Sequence, residues 1–464
     1  MTPMDRTQPA RDGRRDLRSA IGSPAQPGQA EVTTASEETA QPRLRLRRPT
    51  DALLALPWDL PLAEWRLDHA VFRDLPVGPS RHLVRFVAAD GGIVALKEEP
   101  LHVATTEYEV LRALEDLRLP AVTSIGIAES PERGTAILVT EYLAHSLQYR
   151  RLLMRMPGAS RLTRSRLLDA MASLLVDLHL RGVFWGDCSL ANTLFRRDGN
   201  RIQAYLVDAE TSEVHPALSD GQRGYDLDIL VENVAFGLAD LAAYLGRRIE
   251  EDDPIEAAET VRRRYERLWF ELHREDEVAP RDRRAVTGRI RRLNDLGFAV
   301  DEVELVPVAS GGRLRLRVVV GSRRFHAREL RTRSGIVALE DQARLLLNDL
   351  REYGAWLEWF EQREVPDREV ADRWRAEVLE PTLARLAAAI GPDRDPLQAY
   401  CDLLEHKWLL SERAEADVGL ETALDSYLEL GAPAPEAEGI GPDLESDPVV
   451  GRATSPSRAG SRSK

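Results

Sequence analysis

The stretch "VFWGDCSLANTLF", residues 183–195, constrains the fold more than any other part of the chain. Val183, Phe184 and Trp185 on one side and Leu194 and Phe195 on the other are core residue types. Between them stand Asp187 and, five residues later, Asn192. A carboxylate enclosed by apolar sequence needs a hydrogen-bonding partner or a cation, because its charge is costly away from water. The segment therefore either caps a turn or holds something charged.

A second constraint lies in the choice of cation. Of 63 basic residues only Lys97, Lys407 and Lys464 are lysines; every other is Arg. A Lys kept in so Arg-rich a chain marks a place where a compact, rotatable ammonium is needed and a planar fork does not fit. Lys97 falls in "IVALKEE", which pairs across Gly91-Gly92 with "HLVRFVAAD" as an expected hairpin. "TTEYEVLRALEDL" follows as a helix and "TAILVTEYL" as a buried strand. Within that helix Glu107 shares the face of Val110, Leu111 and Leu114, whereas Glu109 shares that of Arg112, Ala113 and Asp116. Helical spacing thus turns Glu107 inward and makes it the expected partner of Lys97.

Residues 161–180 read as a helix with Leu167, Met171, Leu174, Leu175 and Leu178 on one stripe, leading into the segment around Asp187. "AYLVDAET" reads as a short strand ending in Asp208. A second unit begins near residue 280 with a helix that stops at Gly297. A hairpin follows, "DEVELVPVA" and "RLRLRVVV" around Ser310-Gly311-Gly312, then helices over 336–362, 367–390 and 397–430. Residues 1–50 and 432–464 lack apolar periodicity and read as disordered tails.

Composition narrows the function. A net charge of -14 argues against general nucleic-acid binding, which requires a basic surface. Two cysteines, Cys188 and Cys401, supply neither a disulfide framework nor zinc-ligand spacing, and no apolar run is long enough to span a bilayer, so a cytoplasmic protein is expected. Cys188 reads as a small buried filler and Trp185 as core packing. Arg313, Arg315 and Arg317 alternate with Leu314, Leu316 and Val318, and six further arginines cluster over 281–292. That cationic face is either a solvated surface balancing an acidic body or an anion site for an acidic acceptor.

Taken in order, Lys97, an acid in the next helix, Asp187 with Asn192, and Asp208 follow the layout of the protein-kinase fold. The chain resembles kinase-fold phosphotransferases of the lipopolysaccharide kinase (Kdo/heptose kinase) type. More closely, it resembles a bacterial family that adds a C-terminal domain of unknown function to such a domain. The likeness covers about residues 51–430 and is carried by "GVFWGDCSLANTLFRRDG", "AYLVDAETSE", "SDGQRGYDL", "RRLNDLGF", "QARLLLNDL" and "LEHKWLLSE".

The resemblance implies an α+β chain in which a two-lobed protein-kinase-like domain spans 51–275. Its N-lobe would run over about 65–140 and its C-lobe over about 141–275, followed at 280–430 by a mainly helical domain containing a β-hairpin. It implies transfer of the γ-phosphoryl of ATP, with Mg²⁺, to a hydroxyl of a small-molecule, lipid-linked sugar or protein acceptor. Lys97 would meet the phosphates and Glu107 orient it, Asp187 would take the acceptor's proton, and Asn192 and Asp208 would hold the metal. Gly78 and Ser80 in "LPVGPSRHLVRF" are what stands for a phosphate loop, without G-x-G-x-x-G.

There are other departures. Trp185-Gly186-Asp187 replaces His-Arg-Asp, which removes the Arg that would receive an activation-loop phosphate. Ser189 stands where conventional protein kinases have Lys, as in the atypical RIO type, and Ala209-Glu210 follows Asp208 in place of Phe-Gly. Either Asp226 or Asp228 would brace the loop from a following helix. The rival expectations are a nucleotide-binding pseudokinase whose C-terminal domain binds a partner, and a RIO-type kinase.

Overall fold

The computed structural model describes residues 42–75, 81–154, 160–244, 253–308, 312–392 and 394–434. Gly78, Ser80 and the Ser310-Gly311 part of the hairpin turn lie outside them. The architecture is α+β: two kinase-like lobes, then a mainly helical C-terminal part that contains a β-hairpin.

The upper lobe is an antiparallel sheet with one crossing helix. Its elements are β1 (Arg43–Leu46), α1 (Asp51–Leu54), β2 (Phe72–Arg73), β3 (Leu83–Ala89), β4 (Gly92–Pro100), α2 (Leu101–Asp116), β5 (Ser124–Ser130) and β6 (Thr135–Glu141). The strand order is β1-β5-β6-β4-β3-β2. Lys97 sits on β4 opposite Val84 of β3 and Leu138 of β6, so it is flanked on both sides by paired strands. Side chains alternate across the sheet with period two. Ala136 and Leu138 pack on the α2 side with Leu111 and Leu114. Ile137 and Val139 face the other way, where Leu53, Trp58, Leu62 and Trp65 form a separate apolar layer.

β1 is a correction to the expected tail. Arg43–Leu46 pairs antiparallel with Glu129–Gly126 of β5, so the folded body reaches at least eight residues further toward the N-terminus than residue 50. The physical reason is the short alternation Arg43-Leu44-Arg45-Leu46: Arg45 reaches Glu129 at 2.6 Å, while Leu44 and Leu46 pack on the apolar layer. The expected tail from residue 432 likewise starts late, since Ala432 and Ala434 are buried and the Tyr427 hydroxyl donates to the Pro433 carbonyl at 2.9 Å.

The lower lobe comprises β7 (Ser146–Gln148), α3 (Tyr149–Met154), α4 (Ser160–Leu180), β8 (Val183–Phe184), β9 (Thr193–Asp198), β10 (Arg201–Leu206), β11 (Glu213–Val214), α5 (Asp220–Tyr244) and α6 (Pro254–His273). α4 is apolar on more than one stripe. Leu168, Ala172 and Val176 are buried as fully as Leu167, Met171 and Leu175, as befits a helix enclosed by others. β10 ends at Leu206, so Asp208 stands two residues past the strand.

A three-stranded sheet follows, β12 (Asp276–Val278), β13 (Val300–Pro307) and β14 (Leu314–Val320) in the order β12-β14-β13, with α7 (Arg283–Asp295) between its first two strands. Its Val278, Leu316 and Val318 join the same core as α4 and α6. A second core gathers α8 (Phe325–Ser334), α9 (Glu340–Glu361), α10 (Asp367–Trp374), α11 (Glu380–Ile390), α12 (Pro396–Ala414) and α13 (Leu420–Glu429). The helix expected from residue 336 begins only at Glu340, because Gly335, at φ 75°, ends α8 and the intervening residues form the connection. The helix expected over 397–430 is two, separated after Glu415 turns into the left-handed region at φ 52°. No helix among the described residues is long and apolar enough to cross a membrane.

The β9–β10 turn is locked to the C-terminal helices. Asp198 accepts the Asp341 and Gln342 backbone N–H groups at 3.0 and 2.7 Å, capping α9 from another part of the chain. Arg196 pairs with Asp395 at 3.0 Å and Arg197 with Asp402 at 2.9 Å. Gly199 exchanges two backbone hydrogen bonds with the Gln398 amide, at 2.9 and 2.8 Å.

The placement of β1 yields a direct test. A chain starting at residue 51 should melt several degrees below one starting at residue 42, because it loses the β1–β5 ladder and the Arg45–Glu129 pair. Equal melting temperatures would show that β1 adds nothing to stability.

Candidate active site

The segment around Asp187 is held by the carboxylate of Asp226 on α5. Asp226 Oδ2 accepts the Trp185 N–H at 2.8 Å and Oδ1 accepts the Gly186 N–H at 2.8 Å. Its third partner is His179 Nε2 at 3.1 Å, and His179 Nδ1 meets the Tyr265 hydroxyl at 2.7 Å. Burial lowers the His179 pKa against the pull of Asp226. The imidazole is therefore neutral, donating from Nε2 to the carboxylate and accepting at Nδ1. Gly186 adopts φ 81°, and a Cβ there would come within 2.7 Å of the Thr211 carbonyl oxygen, so this turn requires glycine. Of the two acids that sequence left open, Asp226 is the brace. Asp228 is exposed and pairs with Arg262 at 2.8 Å.

The turn delivers Asp187 and Asn192 to each other. Asn192 Nδ2 donates to Asp187 Oδ2 at 2.9 Å and to its carbonyl at 3.2 Å. Asn233 on α5 donates to Asp187 Oδ1 at 3.3 Å and to the Cys188 carbonyl at 3.0 Å. Ser189 closes the turn: its hydroxyl accepts the Asn192 N–H at 3.1 Å and its carbonyl accepts the Thr193 hydroxyl at 2.7 Å. Cys188 is fully buried, and burial pushes its thiol well above the ordinary value, so it is an inert filler. Trp185 is enclosed in the core.

Lys97 gathers the other members. Its Nζ lies 3.0 Å from Glu107 Oε2, 3.1 Å from Asp208 Oδ1 and 2.5 Å from Glu99 Oε1. Glu109 is exposed on the opposite face of α2. The second Glu107 oxygen accepts the Ala209 N–H at 3.2 Å, tying α2 to the residue after Asp208. Burial works to lower the Lys97 pKa, but Glu107, Asp208 and Glu99 outweigh it and hold the group above its usual value, so the ammonium is kept. Burial, reinforced by Glu99 and Asp208, pushes Glu107 upward against the opposing Lys97. The two groups of residues are joined through the backbone, where Val207 N–H donates to the Asn192 carbonyl at 3.1 Å.

Lys97, Glu107 and Asp208 thus form one cluster, and Asp187 with Asn192 another beside it. Sequence reasoning missed Glu99 and Asn233. Glu99 follows Lys97 by two on a strand, which places both on one face; that signal was present. Asn233 stands within a long helix with no local motif.

The cationic strand is not an open anion site. Arg313 faces Glu277 at 3.5 Å, Arg315 faces Glu275 at 3.3 Å, and Arg317 faces Glu275 at 2.9 Å and Glu304 at 3.6 Å. Arg289, from the preceding cluster, is buried against Glu271.

Residues 98–247 match the family model of the lipopolysaccharide kinase (Kdo/WaaP) family, and residues 267–430 match a domain of unknown function (DUF4032). A solved structure of WaaP in complex with acyl carrier protein is 21% identical and aligns over 49% of this chain and 99% of that one, at a TM-score of 0.31. No curated protein matches the chain.

The two aspartates on α5 should behave differently. Asp226→Ala strands two buried N–H groups and the His179 donor, and should cost roughly 3 kcal/mol or more. Asp228→Ala breaks one exposed ion pair and should stay within about 1 kcal/mol of the parent. Denaturant unfolding of both variants checks this, and comparable losses would refute the brace.

Proposed function

We propose that this chain, with its lipopolysaccharide-kinase-family segment at 98–247, transfers the γ-phosphoryl of ATP, with Mg²⁺, to a hydroxyl acceptor. The observation that carries this reading is the convergence of Lys97, Glu107 and Asp208 from β4, α2 and the β10 exit, next to Asp187 and Asn192. The family's description points to a lipopolysaccharide sugar as the acceptor class.

The donor set fits the metal. Asn192 Oδ1 and the Asp208 carboxylate are hard oxygen ligands, and one or two such groups with substrate phosphates are what Mg²⁺ takes. When bound there, Mg²⁺ would neutralise charge on the phosphate oxygens. Lys97 serves the same end with an ammonium held 3.0 Å from Glu107. Asp187 has a separate duty. Asn192 and Asn233 each donate to one of its oxygens, which fixes the plane of the carboxylate, and it accepts the proton of the attacking hydroxyl. The Asp226 brace keeps that carboxylate in register with the phosphates.

Because the aspartates have different tasks, their variants separate. Asp208→Asn should weaken Mg²⁺-dependent ATP binding and abolish transfer. Asp187→Asn should bind Mg²⁺-ATP like the parent while transfer falls about 10²-fold or more. Calorimetry reads the first property and labelled phosphate release or transfer the second. Joint loss of binding would make Asp187 structural. A parent that binds Mg²⁺-ATP but turns none over would support the nucleotide-binding regulatory module instead.

A further inference from the structure

We propose that His82, Glu99 and Glu210 form a site for one transition-metal dication, of Zn²⁺ or Mn²⁺ type, distinct from the Asn192/Asp208 oxygen pair. His82 immediately precedes β3, Glu99 lies on β4 and Glu210 stands two residues after Asp208. Folding brings one donor atom from each within 4.8 Å of the other two. His82 Nε2 is 3.5 Å from Glu210 Oε2 and 3.8 Å from Glu99 Oε1. A tetrahedral ion with bonds of about 2.0–2.2 Å spaces its ligands roughly 3.3–3.6 Å apart. Two of the three edges are thus already near the required length.

The second observation is Glu99 itself. Its side chain has no exposed surface, and neither oxygen accepts a hydrogen bond of good geometry. Its close cationic neighbour is Lys97, which Glu107 and Asp208 also claim. Three carboxylates, Glu99, Glu107 and Asp208, therefore surround one enclosed ammonium, with Glu210 within 4.8 Å of Glu99. The other charged neighbour of Glu210 is Arg81, which is 80% exposed and 3.5 Å away. A buried carboxylate in that position needs more positive charge than the side chains provide.

Ligand chemistry selects the ion. An imidazole with two carboxylates suits Zn²⁺ or Mn²⁺, whereas Mg²⁺ and Ca²⁺ favour all-oxygen sets. Three protein ligands leave a position for water or a substrate oxygen. The metal would tie the upper sheet, through His82 and Glu99, to the segment that carries Asp208, and would draw Glu99 away from Lys97. None of this requires that the chain transfer phosphate.

Pulsed electron paramagnetic resonance on Mn²⁺ distinguishes this site from an all-oxygen one, because only an imidazole ligand gives nitrogen coupling. The untagged, nucleotide-free full chain, stripped with chelator, is titrated with Mn²⁺ alone. One bound ion with imidazole coupling is expected, lost in His82→Gln and retained in Asp208→Asn. Glu210→Gln, at the outer side of the cluster, should keep the coupling but weaken Mn²⁺ affinity on the order of tenfold or more; this variant decides the matter if His82→Gln does not fold. Absence of binding at millimolar Mn²⁺, bound Mn²⁺ without nitrogen coupling, coupling that survives His82→Gln, or unchanged affinity in Glu210→Gln would each overturn the proposal.

Discussion

The geometry of the site rests on one buried carboxylate. Asp226 takes two consecutive backbone N–H groups, those of Trp185 and Gly186, and a neutral imidazole. An apolar strand that breaks next to an acid would otherwise leave those N–H groups buried and unpaired, at a cost that few domains could bear. Once they are satisfied, Gly186 can enter the left-handed region and Asp187 is turned out of the core toward Asn192 and Asn233. The acid in an apolar segment is thus tolerated because a different acid, on α5, organises the backbone beneath it.

Charge is distributed unevenly around Lys97. A conventional reading pairs one ammonium with one glutamate, yet here Glu99, Glu107 and Asp208 all approach it. Their like charges repel, and the enclosure makes that repulsion stronger than it would be in water. The cluster carries more negative than positive charge, and its electrostatics favour the approach of a further cation.

Much of this could be read from the sequence, for identifiable reasons. Lys97 stood out because the chain otherwise uses Arg, and Glu107 because helical spacing turned it inward; the structure brings the two together. Asp187 and Asn192 lie five residues apart, so a single turn can join them. The choice between Asp226 and Asp228 could not be made, since the two differ only in which side of α5 faces the loop, and that depends on packing against α4 and α6. Asn233 is invisible for the same reason: it reaches Asp187 through tertiary contact. β1 was overlooked because a strand of four residues has too little period to register, although its partner β5 is almost wholly buried. The break that divided the helix expected over 397–430 occurs at Glu415, a residue type that gives no warning of a left-handed turn.

The turn between β9 and β10 has a bearing on how the chain can be divided. Thr193, the residue after Asn192, opens β9, and the strand ends in Arg196, Arg197 and Asp198, all engaged by the C-terminal helices. A cut between the kinase-like lobes and those helices would bare two half-buried guanidinium groups and a buried carboxylate, and would uncap α9. The Asp187–Asn192 turn and the C-terminal helices share a wall, and a strain applied to α9 or α12 has only a few peptide units to cross before it reaches Asn192. What binds the C-terminal helices therefore has a short mechanical lever on the turn that joins Asp187 to Asn192.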